Sequence, residues 1–516
     1  MKKISSLVLL FSFSLAAFAQ QWNWAKSVDT YLSEWFTMLP IAVDNTGNIF
    51  LTQNSWNNAG SADSTCLLKF DANGNEMWRT YIGKNFVVRD AVCIGYDLYL
   101  TGRFKDTVAI GNNVVIGRGS GDAFLARFNT NGALRWIRQM GGNGYDIANA
   151  ICFDSEKHLW ITGGYSDTAS FMSDTLICQG DLNMFMAEFD SAGSLLYLKT
   201  ARSINNQGYS CGWKIRCGSN DNIYVLGEWN EMLLDTFYLP NCSCSPYVDP
   251  QFLAMMDRNG VVQWLNGTLR ESFTYATTGL AIDNAGNSYT VGSWDWTSDA
   301  HFMVNKFGSG GQKLWERSID RGYGCFFEAG DIDIDNDHVW VTSLADMTYY
   351  NNQTYVGSDY LLVSELDSSG NILLLDTIPS DQNVQPRCLR KAQNPGEFLI
   401  SGFLYGGLRL GNDSINTAGG KTFLASFSEN ISASIHTTIS GSTMRFFPNP
   451  FHDLCTLCGL TGASEINIYN SLGEKILEQK IISDQTSIDL SDRSKGIYFV
   501  QVLNEKGSSV QKIIIE

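Results

Sequence analysis

The 516 residues contain only 9 Pro and 5 His. So few imidazoles leave little material for a His-ligated metal centre, and no His-x-x-x-His pair occurs. The phosphate-cradling Gly-x-x-x-x-Gly-Lys spelling and the Ser-x-Asp-x-Gly-x-Thr-Trp box of sialidases are missing too. Positive charge is scarce: 36 Lys and Arg face 53 Asp and Glu, a net charge of −17. Without a basic surface to release counter-ions from phosphates, a nucleic-acid partner is excluded. After residue 20 no apolar run approaches the ~20 residues that a membrane-spanning helix needs.

What is present points one way. Apolar residues make up 44% and aromatics 12%, against 17% charged, so a large core is available and the composition is not that of a disordered chain. The 48 Gly, with 14 Trp, 29 Phe and 21 Tyr, favour many short strands joined by glycine turns, an all-β protein. At the N-terminus Lys2 and Lys3 precede an apolar run from Leu7 to Phe18 and an Ala17-Phe18-Ala19 site. That is the layout of a secretory signal peptide over 1–19, cut between Ala19 and Gln20. No Cys follows the cut, so a lipid anchor is not expected, and the product is secreted or displayed at the outer surface. Residues 444–516 alternate apolar and polar positions, as in Glu465-Ile466-Asn467-Ile468-Tyr469-Asn470, and read as a separate small β-sandwich after a 431–443 linker.

Between these ends one pattern recurs seven times. An apolar strand, an Asp/Asn/Gly turn and an aromatic-led strand are spelled out in Ala281-Ile282-Asp283-Asn284-Ala285-Gly286-Asn287-Ser288-Tyr289-Thr290. The anchor aromatics Phe50, Tyr99, Trp160, Tyr224, Tyr289, Trp340 and Phe398 are spaced by 49, 61, 64, 65, 51 and 58 residues. Each copy resumes with a second hairpin whose last strand carries Trp, as in Phe124 to Trp136; Tyr197 and Leu374 stand in its place twice. Four strands per repeat predict a seven-bladed β-propeller over 20–430. The seventh copy stops at Phe427 without its Trp strand, while an unpaired one, Gln21 to Lys26, stands at the start. The N-terminal strand is therefore expected to complete the last blade and remove the open sheet edge.

Two resemblances follow from these residues. The Asp-x-x-Gly-Asn turns and Phe-x-x-x-Phe strands resemble the bacterial β-propeller repeat family known as SBBP, which implies the architecture and no single activity. The opening Pro448-Asn449-Pro450, then Gly473, then Gly496 and Tyr498, and the Lys512-led apolar terminus resemble the type A C-terminal sorting domain of Bacteroidota type IX secretion substrates. That resemblance implies passage across the outer membrane by the type IX machinery, the one partner it names.

For a ligand, the long second and fourth connections fall on one face of the ring, near its channel, where variable loops on a rigid frame commonly bind. Most Trp residues are repeat positions and belong to packing. Trp35, Trp56, Trp213 and Trp296 fall outside them, in or near long connections, and an indole there can stack on a sugar ring. The Asp-rich stretches around Asp71 and over Asp331 to Asp337 invite a calcium reading, but Asp/Asn-Gly pairs are first of all turn chemistry, so no metal or cofactor is expected. His158 and His338 share one repeat position and are structural. Cys93, Cys152 and Cys217 are expected as buried thiols at or near one strand position, with Cys178, Cys211, Cys242 and Cys244 as disulfide candidates in or near loops. The leading expectation is a non-enzymatic binding, scaffold or adhesion protein with a glycan or protein ligand. The alternatives are a polysaccharide hydrolase or lyase with carboxylates at the channel mouth, and a purely structural surface component.

Overall fold

The computed structural model describes residues 21–28, 39–56, 62–206, 208–240, 250–269, 279–294, 300–322, 327–350 and 353–428, and, towards the C-terminus, 445–447, 454–458, 464–470, 475–481, 485–491, 493–504 and 507–515. The fold is all-β, and no helix occurs among the described residues. The chain divides into two compact units, Met1–Glu429 and Asn430–Glu516.

In the first unit the strands pair in antiparallel sets of four. The third set shows the rule: Asp146–Phe153, Leu159–Tyr165, Asn183–Phe189 and Leu195–Thr200 are hydrogen-bonded in that order. The first strands of successive sets are Ile41–Val43, Phe86–Ile94, Asp146–Phe153, Ser210–Cys217, Gly279–Ile282, Phe327–Asp335 and Val384–Lys391. Each lies against the first strand of the next set, and Val384–Lys391 lies against Ile41–Val43. Strand Gln21–Val28 pairs antiparallel with Asp413–Ser428, Trp24 opposite Ser426, and Asp413 Oδ2 accepts a hydrogen bond from the Ala25 amide at 2.8 Å.

The tight turns follow from side-chain chemistry. In the first, Asp44 Oδ1 accepts the amides of Thr46 and Asn48 at 2.9 and 3.0 Å, replacing backbone partners that the turn lacks. The same arrangement recurs at Asp71, whose two carboxylate oxygens take the amides of Asn73 and Asn75 and the Asn75 side chain.

The second hairpin turn of each of the first six sets meets the last-strand aromatic of the set before it. A Cβ added to Gly74 would lie 2.5 Å from Trp24, and at Gly132 2.9 Å from Trp78. At Gly193 it would meet Trp136 at 3.0 Å, at Gly260 Tyr197 at 2.5 Å, at Gly311 Trp264 at 2.7 Å, and at Gly370 Trp315 at 3.0 Å. All six glycines have φ between +74° and +86°, where an L side chain is strained in any case. Indole and phenol donors tie several of these contacts to the turn backbone, such as Trp24 Nε1 to the Ala72 carbonyl at 3.1 Å and Trp264 Nε1 to Ser309 at 2.9 Å.

The expected long loops are different in kind. The second connections of the second, third and fourth sets fold as hairpins, Thr107–Ile110 with Asn113–Ile116, Thr168–Phe171 with Asp174–Ile177, and Met232–Leu234 with Phe237–Leu239. Their alternation supplies the reason: Val108, Ile110, Ala169, Phe171, Met232 and Leu234 are buried against neighbouring sheets. One more expectation needs correction. Cys211 and Trp213 lie inside strand Ser210–Cys217 and not in a loop, and Cys211 is fully buried. Cys152, opposite Trp160, sits one position away from Cys93 and Cys217, opposite Leu98 and Ile223. Strand alternation then turns Cys152 towards the seam with the fourth set, where its thiol meets that of Cys217.

In the second unit, Arg445–Phe447, Leu454–Cys458 and Gln485–Asp489 form one sheet, and Lys475–Ile481, Ser464–Asn470, Gly496–Asn504 and Gly507–Ile515 another. Leu457, Ile466, Ile468, Ile488, Tyr498, Val500 and Val502 form its core. The Tyr498 hydroxyl donates to the Ser494 carbonyl at 2.6 Å, and Lys512 stands opposite Phe499. Gly496 opens its strand at φ +154°. Pro448, Asn449, Pro450 and Gly473, like Ala19 and Gln20, lie outside the described residues.

Replacing Trp24 by Ala in the full chain is expected to cost about 3–5 kcal/mol, because a buried indole and its turn contact are lost together. Gly132→Ala is expected to cost roughly 1–3 kcal/mol by forcing a Cβ into Trp78 at positive φ. Equilibrium urea unfolding measures both, and an unchanged midpoint in either variant would show that these contacts do not hold neighbouring sheets together.

Candidate functional site

Each first strand runs from the side of the long connections to the side of the tight turns, and five carry a β-bulge at nearly the same depth. The bulges fall at Arg89, Asn149, Trp213, Gly330-Asp331 and Arg387. A bulge adds one residue and re-aims its side chain. Here it sets polar and aromatic groups on the first strands.

Towards the tight turns, oppositely charged side chains link the first strands. Asp90 meets Arg390 at 3.4 Å and Arg216 at 3.9 Å; Asp331 meets Arg390 at 2.8 Å and Lys214 at 3.9 Å. The partners come from the second, fourth, sixth and seventh sets, so every pair but Asp331 with Arg390 spans non-adjacent strands. Burial would raise the Asp331 carboxyl, but Lys214, Arg390 and Arg216 hold it below the usual carboxylate range. This knot absorbs the Asp331 to Asp335 stripe: Asp333 accepts the Lys391 amide at 2.8 Å, and Asp335 pairs with Lys391 at 2.5 Å.

Before the bulges, towards the long connections, lies a second and differently built group. Tyr145 lies close enough to Arg89 to favour its charged form, and the Arg103 guanidinium stacks 4.8 Å from the centre of the Tyr145 ring. Asn149 donates to the Gly212 carbonyl at 2.9 Å and approaches Cys211 Sγ at 3.3 Å. Cys211 also lies close enough to Arg89 to interact with it electrostatically. Trp213 follows directly, half-buried. Arg89 Nε and Asn149 Oδ1 are buried without a hydrogen-bond partner among the described residues.

Of the expected aromatic ligand contacts, the structure therefore brings Trp213 to this group. Trp56 ends strand Ile49–Trp56 opposite Ala62, and Trp35 and Trp296 lie outside the described residues. Arg89 and Tyr145 were not singled out by sequence. One signal was legible: Gly144-Tyr145 and Gly208-Tyr209 both stand immediately before a first strand.

Three other clusters were weighed. Asp122 and Asp146 converge on Gly141, whose added Cβ would lie 2.7 and 2.6 Å from their carboxylates. Burial above all, with the Asp122 charge adding to it, pushes Asp146 up to about 7 against the pull of the Gly142 and Ser166 amides. Both residues are 0% exposed, which closes this acid pair to a saccharide. His158 Nδ1 lies 2.9 Å from Glu188 and 3.7 Å from Asp154, three groups spaced to hold a metal ion. The same strand positions carry Lys69 with Asp44, Lys306 with Asp283, and His338 with Glu365, so the trio is one member of a repeated ion pair beneath the anchor aromatics. A cavity of about 550 Å³ on the tight-turn side is lined by Tyr96, Asp97, Arg127 and Asn129, and its Arg127 is already paired with Asp97 at 2.6 Å.

One catalytic spelling, Gly-x-Ser-x-Gly, is present in the chain. Gly208-Tyr209-Ser210-Cys211-Gly212 has the nucleophile-elbow spacing. Ser210 instead begins a strand, is buried, and its Oγ accepts the Met184 amide at 3.0 Å, so it is a structural serine.

Residues 445–516 match the family described as secretion system C-terminal sorting domain. They are the type IX sorting module, and the chain is exported to the cell surface or secreted. No described helix is long and apolar enough to cross a membrane. An uncharacterized WD repeat-containing protein of Acanthamoeba polyphaga mimivirus is 24% identical over 199 residues, 33% of this chain and 14% of that protein's length. PorZ, a surface component of the type IX system of Porphyromonas gingivalis, is 14% identical with a TM-score of 0.41 over 92% of this chain and 59% of that one. The polysaccharide lyase Uly1 is 9% identical with a TM-score of 0.46 over 76% and 90%. Drosophila plexin A, solved with semaphorin, is 9% identical with a TM-score of 0.38 over 79% and 88%. At these scores the structural likenesses carry no argument about activity.

The Asp146 shift gives a pH dependence. Its folded value, about 7, lies above its ordinary 3.8, so the folded chain binds more protons and the contribution is complete only below ~3.8 and lost as pH rises through 7. Urea midpoints of the wild type are expected to fall from about pH 5 to about pH 8, and Asp146→Asn is expected to flatten that slope. Parallel wild-type and variant profiles would assign the slope to another group.

Proposed function

We propose that this exported chain is a non-enzymatic binding protein: a seven-bladed propeller over 20–430, preceded by a signal peptide at 1–19, that presents a ligand site at the loop end of its channel. Seven sets of four strands, the contact of the seventh first strand with the first, and the pairing of Gln21–Val28 with Asp413–Ser428 support a closed ring. The likeness of the repeat to the SBBP family supports the same architecture.

The observation that carries a binding role is the half-buried Trp213, which a bulge sets on a first strand beside polar and charged groups. The Asp122 and Asp146 pair, closed to substrate, does not favour the hydrolase reading.

A glycan array on the full chain, followed by calorimetry and a turnover assay on every binder, tests this. Binding without product formation is expected, with Trp213→Ala weakening it roughly 10-fold or more, as the loss of a stacked aromatic face does. Product accumulation would replace the binding reading with the enzymatic one, and the absence of any glycan ligand would favour a purely structural surface role.

A further inference from the structure

We propose that Cys152 and Cys217 form a disulfide in the exported protein, a covalent staple between the first strands of the third and fourth sets. The bond is independent of the binding reading above, because it lies on the tight-turn side of the bulges in these two strands.

A packing rule that recurs along the first unit places the two side chains. On a first strand the residue opposite an anchor aromatic turns towards the next set, and the residue after it turns towards the set before. Ala42, opposite Phe50, thus shares a core cluster with Cys93 of the second set, and Ala281, opposite Tyr289, shares one with Ile334 of the sixth. Between the third and fourth sets the same two positions are Cys152, opposite Trp160, and Cys217, directly after Arg216, and both belong to one cluster. Hydrogen bonds tie these two strands together on either side of the thiols. On one side Asn149 Nδ2 donates to the Gly212 carbonyl at 2.9 Å. On the other, the Asp221 carboxylate accepts from the Ser155 amide at 2.8 Å and from the Ser155 hydroxyl at 2.6 Å. Between those ties the two thiols lie close enough to perturb one another.

Both residues stand as thiols in the structure, Cys152 buried and Cys217 half-buried. The sorting module takes the chain out of the cytosol, to where disulfides form and persist. The step is thiol–disulfide exchange with an oxidant that is itself a protein or small-molecule disulfide. One cysteine thiolate attacks the oxidant's disulfide and breaks it, and the second thiolate then displaces the oxidant from the mixed disulfide. The Cys152–Cys217 bond forms, and the oxidant leaves as a dithiol carrying the two electrons and two protons. Burial above all holds the Cys217 thiol well above its usual range, so the folded chain offers no ready nucleophile there. The bond therefore closes while the sheets assemble, and packing then shields it from reductants. The two cysteines are 65 residues apart, so closing that loop removes much of the freedom of the unfolded chain. Cys93, which faces Ala42 and not a second cysteine, is the internal control.

The test is a thiol map of the full exported chain, denatured in excess alkylating agent with and without prior reduction and read by peptide mass spectrometry. Without reduction, Cys152 and Cys217 are expected in one cross-linked peptide pair, about 2 Da lighter than the two thiol peptides together, while Cys93 and Cys388 carry the alkyl group. After reduction all four are expected to carry it. Reduction is also expected to lower the urea midpoint of the full chain by roughly 0.5–1 M. Cys152→Ala is expected to abolish that sensitivity to reductant, and Cys93→Ala to retain it. The map needs no variant, so it decides the matter even where Cys152→Ala does not fold. Alkylated Cys152 and Cys217 in the unreduced chain, or either of them linked to a different cysteine, would overturn the proposal. A midpoint untouched by reduction in a chain whose bond has been mapped would overturn its role as a staple.

Discussion

An aromatic ring laid on a glycine turn holds successive sheets together, and most of the first unit depends on that contact. Six times an outer-strand ring, from Trp24 through Trp315, closes over a glycine at positive φ in the next set. Two requirements coincide at each glycine: the turn needs a left-handed residue, and the ring needs the volume a Cβ would fill. A four-stranded antiparallel set has two faces to cover and cannot do so alone. The contact fixes how far one set is offset from the next, and it does so with residues local to each repeat. Connections can then vary in length and fold, as hairpins or extended loops, without disturbing the frame.

That division of labour leaves the first strands free for another task. Because packing between neighbouring sets is secured at the outer strands and along the anchor aromatics, the strands at the centre can carry charge and bulges that a core could not otherwise accept. The Asp90, Arg216, Asp331 and Arg390 pairs are affordable there because each charge meets its opposite across the circle. Removing one partner would strand the other in a dry place, which makes such a network an all-or-none feature. Arg89 stands outside that balance, which is what separates a binding candidate from structural charge in the same few ångströms.

The repeat, its anchors and the role of the N-terminal strand were legible because each is a local pattern at fixed spacing. Phe50 and Tyr289 announce their strands through the turns that precede them, and Trp24 is recognisable as a displaced member of a series. The candidate site was not legible in the same way. Trp213 looked like a loop residue because a bulge adds one residue to its strand and breaks the repeat register. Arg89, Asn149 and Trp213 come from strands about sixty residues apart, and nothing in a linear pattern says that these three bulges fall at one depth. Cys152 and Cys217 make the same point in small: a one-residue offset, invisible as periodicity, decides that the two thiols meet.

Net charge and site charge pull in opposite directions, and their ranges settle which governs recognition. The −17 surface field repels an anionic ligand at a distance, but at physiological ionic strength it decays over about 8 Å. Contacts inside a binding site act at hydrogen-bond range in a lower dielectric and are screened far less. Such a molecule would not concentrate polyanions indiscriminately at its surface, as a basic patch does. Selectivity would come from short-range fit, with the long-range field working against chance partners.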